Sequence, residues 1–137
     1  MPDRVLLLES DPMRQVGFRA ALAAAGYTGV AVSDPEDAVG LLGTGPFHLI
    51  LLGPGERAEA ARPLQAAPER PPIVALAELP DCVIGQALPG EKPPRDLPAI
   101  LEALTRYVRF APPRGQETQA EYEKLLHEWT EYDERAG

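Results

Sequence analysis

Two hydrophobic patterns alternate along the first half of the chain: short unbroken apolar runs, and longer stretches with apolar residues on one helical face. Arg4-Val5-Leu6-Leu7-Leu8-Glu9 is a continuous run of the kind expected for a central parallel strand covered on both faces. A helix should follow at once. Asp11 can cap it, Pro12 suits its first position because the missing N–H costs nothing there, and Gly26 offers the left-handed stop. The same grammar repeats: Thr28 to Ser33 reads as a second strand, Asp34-Pro35 opens a second helix with Ala38, Leu41 and Leu42 at helical spacing, and Gly43 and Gly45 end it. Phe47 to Leu52 is the third strand and Pro72 to Leu76 the fourth, an order that predicts one parallel sheet with helices on both faces.

The second half is less regular. Glu56 to Leu64 has the composition of a short helix interrupted by Pro63 and followed by a proline-rich loop through Pro68. Leu79 to Glu91 must then hold both the next helix and a fifth strand, although a parallel crossover needs about a dozen residues by itself, so one element is cut down. Asp96 to Phe110 restores a clear amphipathic helix, with Leu97, Leu101, Leu104 and Val108 on one stripe.

Residues 1–110 thus read as one domain, residues 111–116 as a Pro/Gly linker, and residues 117–137 as an added C-terminal amphipathic helix. Thr118 to Glu121 has capping-box spacing, and Tyr122, Leu125, Leu126, Trp129 and Tyr132 fall on one face. A helix of this length is marginal alone in water, so its aromatic face must pack on its own domain, on a second copy of the chain or on another protein. These five residues are the candidate partner-binding set.

Composition narrows the functional classes. With a net charge of −8, nucleic-acid binding is disfavoured because that affinity rests on clustered Lys and Arg. The N-terminal apolar run is too short for a membrane span or signal peptide, and Cys82 stands alone, so a cytoplasmic protein without an internal disulfide is expected. Sixteen prolines and the absence of asparagine fit a thermophile with stiffened loops. His48 and His127 have no partners at zinc spacing, and the glycines of Gly53-Pro54-Gly55 lack the phosphate-loop pattern, so no metal, cofactor or nucleotide site is indicated.

The succession VLLLESDPMR, HLILLG, PIVALAE and Lys92-Pro93 resembles the receiver (CheY-like) domain of two-component response regulators, over about residues 4–108. That resemblance implies a flavodoxin-like, doubly wound sheet of five parallel strands, here with the region of helix four shortened. It also implies a phosphorylation pocket: an acidic pair after the first strand for Mg²⁺, an aspartate ending the third, a hydroxyl after the fourth and a lysine after the fifth. Carried onto this chain, Glu9 and Asp11 match acids of the first corner, but Ser10 stands at the second acidic position. Gly53 takes the place of the phosphoacceptor, Ala77 takes the place of the hydroxyl, and only Lys92 matches a phosphate contact. If instead Cys82 to Gly85 is the fifth strand, Lys92 lies in a loop and its match is accidental.

Without a carboxylate at position 53 there is no nucleophile for an acyl phosphate. The expectation is therefore a pseudo-receiver, not an enzyme, acting through phosphorylation-independent protein contacts. Within it, Lys92 could pair with Glu9, and Glu56 is expected in the first turn of the next helix, where its charge favours the helix dipole. Two alternatives remain open: phosphorylation at an atypical acceptor, and small-ligand sensing at the strand carboxyl ends.

Overall fold

A computed structural model describes residues 3–54, 56, 58–68 and 70–110. The linker and C-terminal helix expected from residue 111 onward, with Tyr122, Leu125, Leu126, Trp129 and Tyr132, lie outside the described residues.

The apolar runs become strands with little adjustment. Strands β1 (Arg4–Leu8), β2 (Thr28–Val32), β3 (Leu49–Leu52), β4 (Ile73–Glu78) and β5 (Val83–Ala87) form one sheet in the order β2-β1-β3-β4-β5. Helices α1 (Pro12–Ala24), α2 (Pro35–Leu42), α3 (Arg62–Gln65) and α4 (Leu97–Phe110) complete an α/β fold, with a 3-10 turn at Ala58–Ala61 leading into α3. The capping signals operate as the sequence implies. Asp11 accepts a 3.0 Å hydrogen bond from the Met13 N–H, Asp34 accepts one of 2.8 Å from Glu36 N–H, and Gly26 takes a φ of 93° just beyond α1.

Strands β1 to β4 are parallel, but β5 runs antiparallel to β4, with Val74 opposite Ala87 and Glu78 opposite Val83. This corrects the expectation of five parallel strands. Only Leu79-Pro80-Asp81-Cys82 separate β4 from β5, too few for a crossover, so the chain turns back in a hairpin closed by Leu79 N–H donating to Cys82 C=O at 2.8 Å. The region expected to hold a shortened helix four holds no helix at all.

Two cores flank the sheet. Leu7, Phe18, Leu22, Leu51, Val74, Ile100, Leu104 and Tyr107 pack under α1 and α4, while Leu6, Leu8, Ala38, Ile50, Leu52, Ala61 and Leu64 pack under α2 and α3. The α1/α4 layer is tight: Gly17 lets the edge of the Tyr107 ring lie where a Cβ would come 2.6 Å from Cδ2. Tyr107 in turn meets Phe18 edge-to-face at 5.0 Å between centroids.

Because β5 is reversed, it begins at the carboxyl end of the parallel strands and finishes at their amino end. There Leu88 N–H donates to the carbonyl of Ile73, the first residue of β4, and Glu91 pairs with Arg70 at 2.7 Å. This path decides which residues after β5 can reach the carboxyl-end corner.

Candidate functional site

The carboxyl ends of β1, β3 and β4 bring Glu9, Asp11 and Glu78 around one guanidinium, that of Arg14, with Gly53 and Glu56 beside Glu9. Glu9 follows β1 directly and is completely buried. Its Oε2 accepts a 3.0 Å hydrogen bond from Asp11 N–H, while its Oε1 lies 3.4 Å from Arg14 Nη1. Arg14, in the first turn of α1, also donates from Nη1 to the Pro54 carbonyl at 2.9 Å. Its Nε stands 3.4 Å from Glu78 Oε2, and Asp11 Oδ2 lies 4.0 Å from Nη1. One cation therefore ties the ends of β1, β3 and β4 together.

Gly53 has a specific reason to be glycine. A Cβ built there would come 2.7 Å from Glu9 Cδ and closer still to Oε1. The space a side chain at position 53 needs is the space the Glu9 carboxylate fills. Burial is the main influence raising the Glu9 pKa above its ordinary value, and the Glu56 charge adds to it; the Asp11 N–H and Arg14 oppose the rise without cancelling it.

The remaining sequence candidates distribute unevenly. Ser10 is exposed, and its backbone N–H donates to Glu56 Oε1 at 2.8 Å. Glu56 is thus turned back onto the β1 corner and precedes the 3-10 turn by two residues, rather than sitting in a first helical turn as the sequence suggested. Ala77 lies inside β4, which runs two residues further than the sequence indicated, and faces solvent beside Ile84. Lys92 is exposed and follows β5 at the amino end of the sheet, the end opposite Glu9. The Lys92–Glu9 pair considered from the sequence is not formed; Arg14 takes that role.

Two residues of this site escaped the sequence reading. Arg14 was detectable, since it stands three positions after Asp11 on α1 and must share its face. Glu78 was hidden by ending the fourth strand at Leu76.

A second polar cluster sits at the other end of the sheet. Tyr27 precedes β2, His48 precedes β3 and Asp96 precedes α4, and the three meet: Tyr27 Oη donates to Asp96 Oδ2, and His48 Nε2 lies 2.8 and 2.9 Å from the two Asp96 oxygens. The Tyr27 and His48 rings stack 6.0 Å apart. Burial alone would raise the Asp96 pKa, but the hydrogen bonds from Tyr27 and His48 outweigh it and hold the carboxyl below its ordinary value. Tyr27 is pushed up to about 12, by burial first and then by its hydrogen bond to the Asp96 charge.

Among the described residues, no group of three or more His, Cys, Asp or Glu side chains is placed to hold a metal ion. No helix among them is long and apolar enough to cross a membrane.

No protein-family model matches the chain, and no curated protein matches it. Among solved structures, a fusion containing the yeast Spc42 trimeric coiled-coil segment 181–211 is similar at 18% identity and a TM-score of 0.47, over 99% of this chain and 82% of that one. A likeness that weak carries no argument about fold or function.

Proposed function

We propose that the protein is a pseudo-receiver: a flavodoxin-like module, not an enzyme, that has exchanged the phosphorylation chemistry of the receiver family for a permanent internal ion cluster, and that signals through protein contacts independent of phosphorylation. The observation carrying this reading is the corner of Gly53, Glu9 and Arg14. The position that would present a nucleophilic aspartate has neither the carboxylate nor the room for one. Of the acids that would face Mg²⁺, Glu9 faces the Arg14 guanidinium at 3.4 Å and Asp11 lies 4.0 Å from it. The lysine that would contact a phosphoryl group stands at the far end of the sheet.

Such a corner is partly compensated without a ligand, since Arg14 pairs with Glu9, Asp11 and Glu78. A receiver's acidic pocket uses repulsion among its carboxylates to attract a divalent ion; here Arg14 supplies positive charge from within the chain at all times. The conformation that a true receiver reaches on phosphorylation has no trigger at this site, so partner binding is constitutive.

The test is incubation of the full chain with acetyl phosphate and Mg²⁺ followed by intact-mass measurement. No stoichiometric phosphoryl adduct is expected, and the proteins captured from the native lysate should be the same with and without the phosphodonor. An adduct mapping to Glu56 or Glu78 would replace this reading with that of an atypical receiver.

A further inference from the structure

The two faces of the sheet are covered unequally. On one, α1 and α4 extend from β2 to β5; on the other, the core under α2, the 3-10 turn and α3 takes in β2, β1, β3 and the start of β4, but leaves the turn end of the β4–β5 hairpin exposed. Side chains alternate along β4 and β5, so Ala75, Ala77, Ile84 and Gln86 share this face, with Ala77 opposite Ile84 and Ala75 opposite Gln86; Ala75 is half-buried at the margin of the α2/α3 core, whereas Ala77, Ile84 and Gln86 are exposed. Ile84 is 49% exposed, and Leu79 in the adjoining turn is 43% exposed; among the described residues these are the exposed large hydrophobics. The bare strip lies where the short β4–β5 connection leaves no helix to lie.

We propose that the C-terminal segment 118–132 of the same chain docks on this strip, setting Leu125, Leu126 and Trp129 against Ile84, Ala77 and Leu79. This proposal rests on the hairpin and the sequence pattern, and it stands or falls independently of the pocket reading. The path is available. The last turns of α4 lie beside the start of β5, where Val83 N–H donates to Thr105 Oγ1 at 3.1 Å, and α4 ends at Phe110. Residues 111–117, extended, span up to about 25 Å. Passing over the β5 edge from one packed layer to the other takes about 20 Å at roughly 10 Å per layer.

Length and chemistry agree as well. In the helix that the sequence pattern predicts, fifteen residues would measure about 22 Å, against about 17 Å for a strand of β5's length, so one apolar stripe would be long enough for the strip. Tethering places the segment at an effective concentration in the millimolar range, whereas a second copy must overcome repulsion between two chains of net charge −8. The same chain is therefore the favoured occupant.

The chain supplies its own probes, because Trp129 is the single tryptophan and Cys82, at the hairpin turn, the single cysteine. Cys82 of the full-length protein is labelled with an energy acceptor for tryptophan. The expected result is blue-shifted Trp129 emission and strong transfer that a large excess of unlabelled chain leaves unchanged. Ile84→Asp should remove most of the transfer and shift the emission to the red. Leu125→Asp, outside residues 1–110, should do the same, with circular dichroism used to check that both variants remain folded. Solvent-exposed emission in the parent chain, or transfer that survives both substitutions, would overturn the proposal. Transfer abolished by unlabelled chain would assign the strip to a second copy instead, and would equally overturn it.

Discussion

The two ends of the sheet are both fastened by ionisable clusters, yet the clusters are built on opposite terms. At the carboxyl end a completely buried Glu9 depends on one guanidinium that also serves Glu78 and lies near Asp11. At the amino end Asp96 keeps 34% of its side chain exposed and faces two neighbours, Tyr27 and His48, that can both donate to it. Burial is the largest influence on both, but at Asp96 the hydrogen bonds from Tyr27 and His48 and the His48 charge together outweigh it, so the two carboxyls shift in opposite directions. A buried acid with one cation is vulnerable to losing that cation, whereas a partly solvated acid with two partners loses little when either goes.

The largest expected effect tests the crowded corner. Gly53→Asp forces a Cβ into the volume of Glu9 and sets two carboxylates against each other, and should destabilise the fold by about 4 kcal/mol in denaturant titrations. Glu9→Ala in the same chain should recover most of that loss, since it removes both the clash and the repulsion. Additive losses in the double variant would show that Glu9 is not what excludes a side chain from position 53.

Next comes the cation. Arg14→Met should cost about 3 kcal/mol, because it leaves Glu9 buried without its counter-charge, and the loss should shrink when Glu9→Gln is added. Equal losses with and without Glu9→Gln would mean that Arg14 acts through packing alone.

What the sequence made legible follows from which information is local. Strand runs, the Asp-Pro caps and the stripe of α4 are local patterns, and those elements appear within a residue or two of their expected bounds. The direction of β5 is not encoded in Val83–Ala87 itself. It is set by the four residues of connection, a brevity that the sequence pattern expresses equally well as a shortened helix or a reversed strand. That one reversal also moves Lys92 from the carboxyl corner to the opposite end. The pocket's emptiness of acceptor, Gly53, was readable from position in the third strand; the reason for it, the Glu9 side chain, required coordinates. The Tyr27, His48 and Asp96 cluster had no sequence signal, since residues 27, 48 and 96 meet only once the strand order is known.

A third comparison uses pH. The folded-state pKa of Asp96 is lowered, so its contribution is present above the ordinary carboxylate value and is lost as pH falls through the folded value. Asp96→Asn should therefore cost about 1 kcal/mol near neutral pH, limited by solvent screening at a side chain one-third exposed, and the difference should close in acid. Glu9 carries the opposite sign: with its folded pKa raised, its contribution is full below the ordinary value and declines as pH rises through the folded one. Stability differences between parent and Glu9→Gln, and between parent and Asp96→Asn, should thus slope in opposite directions from pH 3 to pH 7. Parallel slopes would break the contrast between the two ends.

The smallest effect is the most discriminating for the receiver resemblance. Lys92→Ala should change stability by less than about 0.5 kcal/mol, as for an exposed residue with no partner to lose among the described residues, and should leave the pH profile of the Glu9→Gln comparison unaltered. A lysine reaching the carboxyl corner would behave otherwise: its removal would raise the Glu9 pKa further and steepen that profile. The measurement therefore asks, without any ligand, whether the residue following β5 communicates with the one following β1. The antiparallel register from Glu78–Val83 to Val74–Ala87 carries the chain away from Glu9 by the whole length of a strand, and predicts that it does not.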